Sequence, residues 1–113
     1  MQLARYRALE PFATKDGSTI REYLHTPVQS LAEATLAPRQ ATERHYHRLS
    51  EEIYLLVAGG GRLEVGGEEL DVQAGDAILI PPGAWHTLVA GDGGARLLCC
   101  CVPAYSHADT YFE

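Results

Sequence analysis

Between residues 51 and 102 the chain is a succession of short β-forming runs cut by glycine-rich turns, and this pattern most restricts the folds open to it. EEIYLLVAG (51–59) is rich in β-formers and too short for a typical helix. GRLEVGG (61–67) alternates, with Leu63 and Val65 on one face. Gly66-Gly67, between RLEV and EELDV, is a two-residue hairpin signal, because both glycines tolerate positive φ. AILIP (77–81) is a near-continuous apolar strand, and WHTLVA (85–90) follows a Pro-Pro-Gly turn. Gly91-Asp92-Gly93-Gly94 reads as a further turn before the strand ARLLCCCV (95–102).

Upstream, Lys15-Asp16-Gly17-Ser18 is a turn signal and TIREYL (19–24) a short strand. QSLAEATLA (29–37) is contested. Ala, Leu and Glu favour helix, but Ser30, Ala32, Ala34 and Leu36 form one strand face and Pro38 ends the segment, so a strand is expected. No ten-residue helical pattern separates the strands, which disfavours a parallel βαβ sheet. The expectation is an all-β sandwich or closed barrel whose interior is lined by alternate side chains. A chain of 113 residues suits a single domain over 1–113. With 46% apolar and 21% charged residues it has enough apolar surface to fold.

Charge and segment composition exclude several roles. The formal net charge is −6, and the nine Lys and Arg residues are scattered. Nucleic-acid binders present a basic face that neutralises phosphates, so no nucleic acid is expected. The N-terminal MQLARYRALEPF has no apolar core of a signal peptide, and no run of 18 apolar residues occurs, so no membrane partner is expected. Cys99, Cys100 and Cys101 are consecutive, which fits a reducing cytoplasm better than a disulfide framework. No phosphate-binding glycine loop or dinucleotide fingerprint is present.

The chemistry-bearing residues are His45, His47, Glu52 and His86. On a strand, residues i and i+2 share a face, so His45 and His47 can both point inward while Tyr46 points out. Glu52 and Tyr54 likewise share a face, and His86 follows the turn PPGAW (81–85). Neutral imidazoles and a carboxylate suit iron, manganese, nickel, zinc or cobalt. A lone HxH is weak evidence, and the same residues could form a solvated polar loop.

The spacing resembles the two motifs of the cupin superfamily, in particular its small single-domain members. Motif 1 (about 39–59) runs His45-Tyr46-His47, then Glu52, then Gly59; motif 2 (about 75–90) runs Gly75, Pro81-Pro82-Gly83, then His86. The resemblance implies a cupin-type double-stranded β-helix, a jelly-roll barrel. It also implies one divalent metal ion per chain, held by His45, His47, Glu52 and His86. Two positions depart from the pattern: Arg39 replaces the usual opening glycine and Ala90 the frequent closing asparagine. The family includes dioxygenases, isomerases, decarboxylases and lyases, so the fold does not select a reaction. The expectation is a small metalloenzyme acting on an oxygenated small organic molecule, of dioxygenase or isomerase/lyase type. A non-catalytic small-molecule or sugar-binding module is the alternative, and a barrel stabilised by its metal a third reading.

Other residues carry weaker expectations. Glu51 should face solvent. Tyr54 and Leu56 line the pocket or pack the core, Trp85 should point away from the metal, and the cysteines are read as small buried side chains. Tyr23, His25, Tyr105 and His107 are read as surface or packing residues. The segment AYSHADT (104–110) is a candidate cover for one barrel mouth. A homodimer is expected, with TIREYL or the N-terminal segment as an exposed edge and Tyr46 and Trp85 as outward aromatics.

Overall fold

A computed structural model describes residues 1–14 and 16–113, so that Lys15 of the expected 15–18 turn lies outside the described residues. The chain order of strands is β1 (Phe12–Ala13), β2 (Thr19–His25), β3 (Ser30–Leu36), β4 (His45–His47), β5 (Glu51–Val65), β6 (Glu68–Gln73), β7 (Ala77–Ile80), β8 (His86–Val102) and β9 (Thr110–Phe112). Two short 3-10 turns, Tyr6–Ala8 and His107–Asp109, are the only helical elements among the described residues. The contested segment 29–37 is strand β3, paired antiparallel with β2 and β8. The fold is the all-β cupin jelly roll.

The long strands β5 and β8 build the barrel. The first half of β5 pairs with β7 and the second half of β8; the second half of β5 pairs with β6 and the first half of β8. One layer is therefore β1-β2-β3-β8-β5-β7 and the other β9-β4-β8-β5-β6, with β5 and β8 bending through both. This corrects two sequence expectations. Segments 51–59 and 61–67 are one strand, and Gly91 to Gly94 is part of β8 rather than a turn. The bends carry register shifts at Leu56/Ala58 and Gly59/Gly61, the extra twist that closes a sheet into a barrel. Glycine is needed there for close approach: a Cβ on Gly59 would strike the Gly94 carbonyl, and one on Gly61 the Val89 carbonyl. Gly66 and Gly67, at φ 59° and 87°, make the expected hairpin turn.

The core lies between the layers. Leu56, Leu63, Ile80, Leu88 and Leu97 are almost wholly buried, with Ala34, Leu36, Val72 and Ala95 around them. Ala90 packs in this core, where the family's asparagine often stands. Arg39 has φ 62°, the left-handed region that a glycine occupies without strain. Its departure from the family pattern is thus locally costly. Arg39→Gly is expected to raise folding stability by about 0.5 kcal/mol, relief of the left-handed strain outweighing glycine's greater chain entropy. Urea denaturation of the two proteins measures it; an unchanged or lower midpoint contradicts it.

Candidate metal centre

Period-two alternation delivers His45 and His47 to the same interior face of β4, both 4% exposed. β4 lies between β8 and β9, in register His45↔His86 and His45↔Phe112, so the third histidine arrives from the neighbouring strand. Glu52 comes from the opposite layer, buried at the start of β5, whereas Glu51 is exposed. The structure brings all four sequence-predicted residues together. The ligand atoms of His45, His47 and His86 lie within 4.8 Å of one another. Glu52 Oε1 is 3.3 Å from His47 Nε2 and 3.5 Å from His86 Nε2.

The hydrogen bonds of the imidazoles decide what these atoms can do. His45 Nδ1 is 2.7 Å from the Glu43 carbonyl oxygen, and His86 Nδ1 is 2.9 Å from that of Ala84. A carbonyl only accepts, so each Nδ1 carries a proton and, in the neutral ring, each Nε2 presents a lone pair. Thr110 Oγ1 donates to the Ser106 carbonyl and therefore accepts from His47 Nδ1 at 3.1 Å. All three histidines are thus held in the same tautomer by outer contacts, the arrangement that orients imidazole metal ligands.

The fourth group is set in the same way. Cys101 Sγ donates to Glu52 Oε2 at 3.3 Å, leaving Oε1 free. Glu52 Oε1 and His86 Nε2 are buried without a hydrogen-bond partner among the described residues. Buried polar atoms without partners are costly and rare. A cation among these convergent lone pairs satisfies them together, so the residues fit a divalent metal.

The electrostatics agree. Burial, then the neighbouring His86, holds the His45 imidazole below its ordinary value, so it is neutral near pH 7. Burial pushes the Glu52 carboxyl up, and His47 and His86 pull it down only when their Nε2 atoms carry protons; with the lone-pair tautomer a bound cation would supply that positive charge instead. Burial, then the Glu52 charge, raises the Tyr54 phenol and the thiols of Cys99 and Cys101. These stay protonated, which removes the cysteines as thiolate nucleophiles.

A cavity opens from this cluster between the layers. Its wall includes His45, His47, Glu52, Tyr54, Cys99 and Cys101, while His86 is fully buried behind them. Leu56 packs in the core and does not reach the cavity. Trp85 points outward, edge-on to Tyr46 at 4.7 Å and under Arg44. Tyr105, read as a surface or packing residue, packs: its ring stands 5.8 Å from that of His47, on the cavity wall. His25 is exposed beside Glu22, His107 is exposed, and Tyr23 packs on Tyr6. Segment 104–110 does border the cavity through Tyr105 and Thr110. It is pinned by Asp109, which accepts from the backbone N–H groups of Leu49 and Ser50 at 3.0–3.2 Å. Thr14, Asp16 and Ser18 also line the cavity. Sequence reading saw there only a turn, although an Asp between hydroxyl residues at a Gly turn is a signal for local side-chain bonding.

Two all-β layers with three convergent imidazoles and a carboxylate between them define a histidine-lined site that fits metal binding. The chain belongs to the cupin family: residues 32–101 match the family described as a cupin domain. An uncharacterized protein of Methanocaldococcus jannaschii is 42% identical over 111 residues, covering 93% of this chain and 89% of that protein. Gentisate 1,2 dioxygenase 1 of Aquipseudomonas alcaligenes is 32% identical over 82 residues, covering 73% of this chain but 22% of the dioxygenase. The structure of KdgF from Halomonas sp. superposes with a TM-score of 0.87 over 96% of this chain and 98% of its own, at 18% identity.

Proposed function

We propose that the chain is a divalent-metal enzyme acting on a small oxygenated organic molecule, with His45, His47, Glu52 and His86 as the ligands. The observation that carries this is the convergence of three Nε2 lone pairs and the unpartnered Glu52 Oε1 in a buried cavity. Three nitrogens and one oxygen suit iron, manganese, nickel, zinc or cobalt. A divalent ion bound there supplies Lewis acidity toward a substrate oxygen. The chain's own part is to shield and orient. Ala32, Ala34, Leu36, Leu88 and Leu97 form an apolar wall, and Thr42, Tyr105 and Thr110 line the same space.

The match to gentisate 1,2 dioxygenase 1 favours a dioxygen-consuming reaction over isomerase or lyase chemistry. Anaerobic loading with Fe(II), followed by oxygen-electrode measurement over catechols, diketones and small organic acids, tests it. Substrate-dependent oxygen uptake is expected. Product formed equally without oxygen turns the reading to an isomerase or lyase, and ligands bound but unchanged in every condition turn it to a binding module.

Cys101 has a positioning part in this reading, through Glu52. Cys101→Ala should weaken metal binding by about tenfold, the lower range for loss of a supporting contact, and Cys101→Ser should restore most of it. Competition with a chelating dye measures both; identical affinities for wild type and Cys101→Ala contradict the role.

The homodimer remains part of the proposal, on a different surface from the edge expected. β1 covers part of the β2 edge, and Tyr46 and Trp85 pack on one another and on Arg44. The outer face instead carries a row in register across five strands: Leu79, Ile53, Cys100, Leu31 and Leu24. Leu79 is 54% and Ile53 45% exposed. A two-fold axis would pair such a row with itself. Sedimentation velocity should show a dimer for the wild type and a monomer for Ile53→Arg; a wild-type monomer at all concentrations contradicts it.

A further inference from the structure

The cavity wall carries a further carboxylate that the metal-site reading leaves without a role. It belongs to Asp16, on the loop that enters β2. Asp16 Oδ1 accepts from Thr14 Oγ1, from the Ser18 backbone N–H at 2.9 Å and from Ser18 Oγ at 2.6 Å. Among the described residues no hydrogen bond uses Oδ2. The loop is itself fixed. The Glu43 N–H donates to the Asp16 carbonyl at 2.8 Å, Gln40 Nε2 donates to the Gly17 carbonyl, and Ser18 is almost wholly buried. Three bonds on one oxygen thus hold a carboxylate whose other oxygen is available, on a wall shared with His45, His47 and Glu52.

Among the described residues the charges around the cavity are one-sided. Asp16, Glu22 and Glu52 line it, and among the described residues no arginine or lysine does. The arginines are engaged elsewhere. Arg21 and Arg96 pair with Glu33, Arg44 with Glu64 and Glu113, and Arg62 with Glu69 and Asp71. Arg5, Arg7, Arg39 and Arg48 are exposed. Recognition of a free carboxylate or phosphate ordinarily enlists an arginine or lysine, and the described wall offers none. It offers a carboxylate, and the hydroxyl-bearing residues Thr14, Ser18, Thr42, Tyr105 and Thr110 line the same cavity.

We propose that Asp16 determines specificity: its free oxygen accepts a hydrogen bond from a hydroxyl of a neutral ligand, and its charge turns away ligands carrying a free carboxylate or phosphate. This rests on the metal-site reading and narrows its substrate class to neutral hydroxylated molecules. It also separates this chain from an enzyme whose substrate is an acid, as gentisate is.

Catechol and 3,4-dihydroxybenzoate test it, because both offer the same diol and only the second carries a remote carboxylate. Titrated into Co(II)-loaded protein and followed by the visible cobalt spectrum, catechol should bind about tenfold more tightly, the size of one charge repulsion across a partly solvated cavity. Asp16→Asn keeps the shape and acceptor of the loop while removing the charge. It should bring the two affinities to within about twofold, mainly by tightening the acid. Equal wild-type affinities, no catechol binding, or an unchanged ratio in Asp16→Asn each overturn the assignment. The wild-type ratio stands independently of how the variant folds. Metal content read on the same samples separates the two levels: protein that takes up no Co(II) sinks the metal-site reading and this proposal with it, whereas loaded protein without the preference sinks this proposal alone.

Discussion

Replacing His86 with alanine should abolish stable metal binding, with a loss larger than the about 10–100-fold that removal of a supporting contact costs. His86 Nε2 is buried, has no hydrogen-bond partner among the described residues and points where Glu52 Oε1, itself beside His47, also points. The strand pairing His45↔His86 is made by backbone groups and survives the change. Far-ultraviolet circular dichroism should therefore remain that of a β-protein while metal content falls. Thermal melts add a second reading. Metal at 100 times its Kd stabilises the wild type by about 2.7 kcal/mol. That metal-dependent increment should vanish in His86→Ala and in His47→Ala. Variants that keep wild-type metal content under equal loading contradict the ligand assignment.

The second large effect is expected at Asp109. Its carboxylate is 8% exposed and accepts from the N–H groups of Leu49 and Ser50, which fixes the segment bearing Tyr105 and Thr110 against the loop before β5. Asp109→Ala leaves those N–H groups without their acceptor and should cost about 3 kcal/mol, since hydrogen bonds to a charged group contribute about 1.5–3 kcal/mol each and do not add fully. Asp109→Asn keeps an acceptor of the same shape and should cost about half as much. Loosening the segment also frees Thr110 from His47 Nδ1, so metal affinity should fall along with stability. Denaturant unfolding and dye competition read the two effects. A cost near zero would show that the segment is not held through Asp109.

The site was legible in the sequence because it is built on the shortest rule available. Period-two alternation places His45 and His47 on one face and lets only one of Glu51 and Glu52 turn inward, and the spacing of the first cupin motif selects Glu52. The supporting contacts were not legible. Cys101 meets Glu52 because β8 lies beside β5 in the register Glu52↔Cys101, and Thr110 meets His47 because the chain end returns as β9. No local pattern encodes either meeting. The glycine runs misled for a related reason. Gly66-Gly67 reverses the chain, while Gly59 to Gly61 and Gly91 to Gly94 let two strands bend and pass close to their neighbours. Both uses need a missing Cβ, and only the partner strand decides between them. Asp16 escaped notice because a turn residue acquires a cavity only when β2, β3 and β4 are assembled around it.

Anomalous diffraction from crystals of the metal-loaded protein, collected on both sides of the metal absorption edge, tests the central claim most directly. The account predicts one strong peak per chain, at bonding distance from the Nε2 atoms of His45, His47 and His86 and from Glu52 Oε1. A peak elsewhere, or none at this cluster in fully loaded protein, would contradict it.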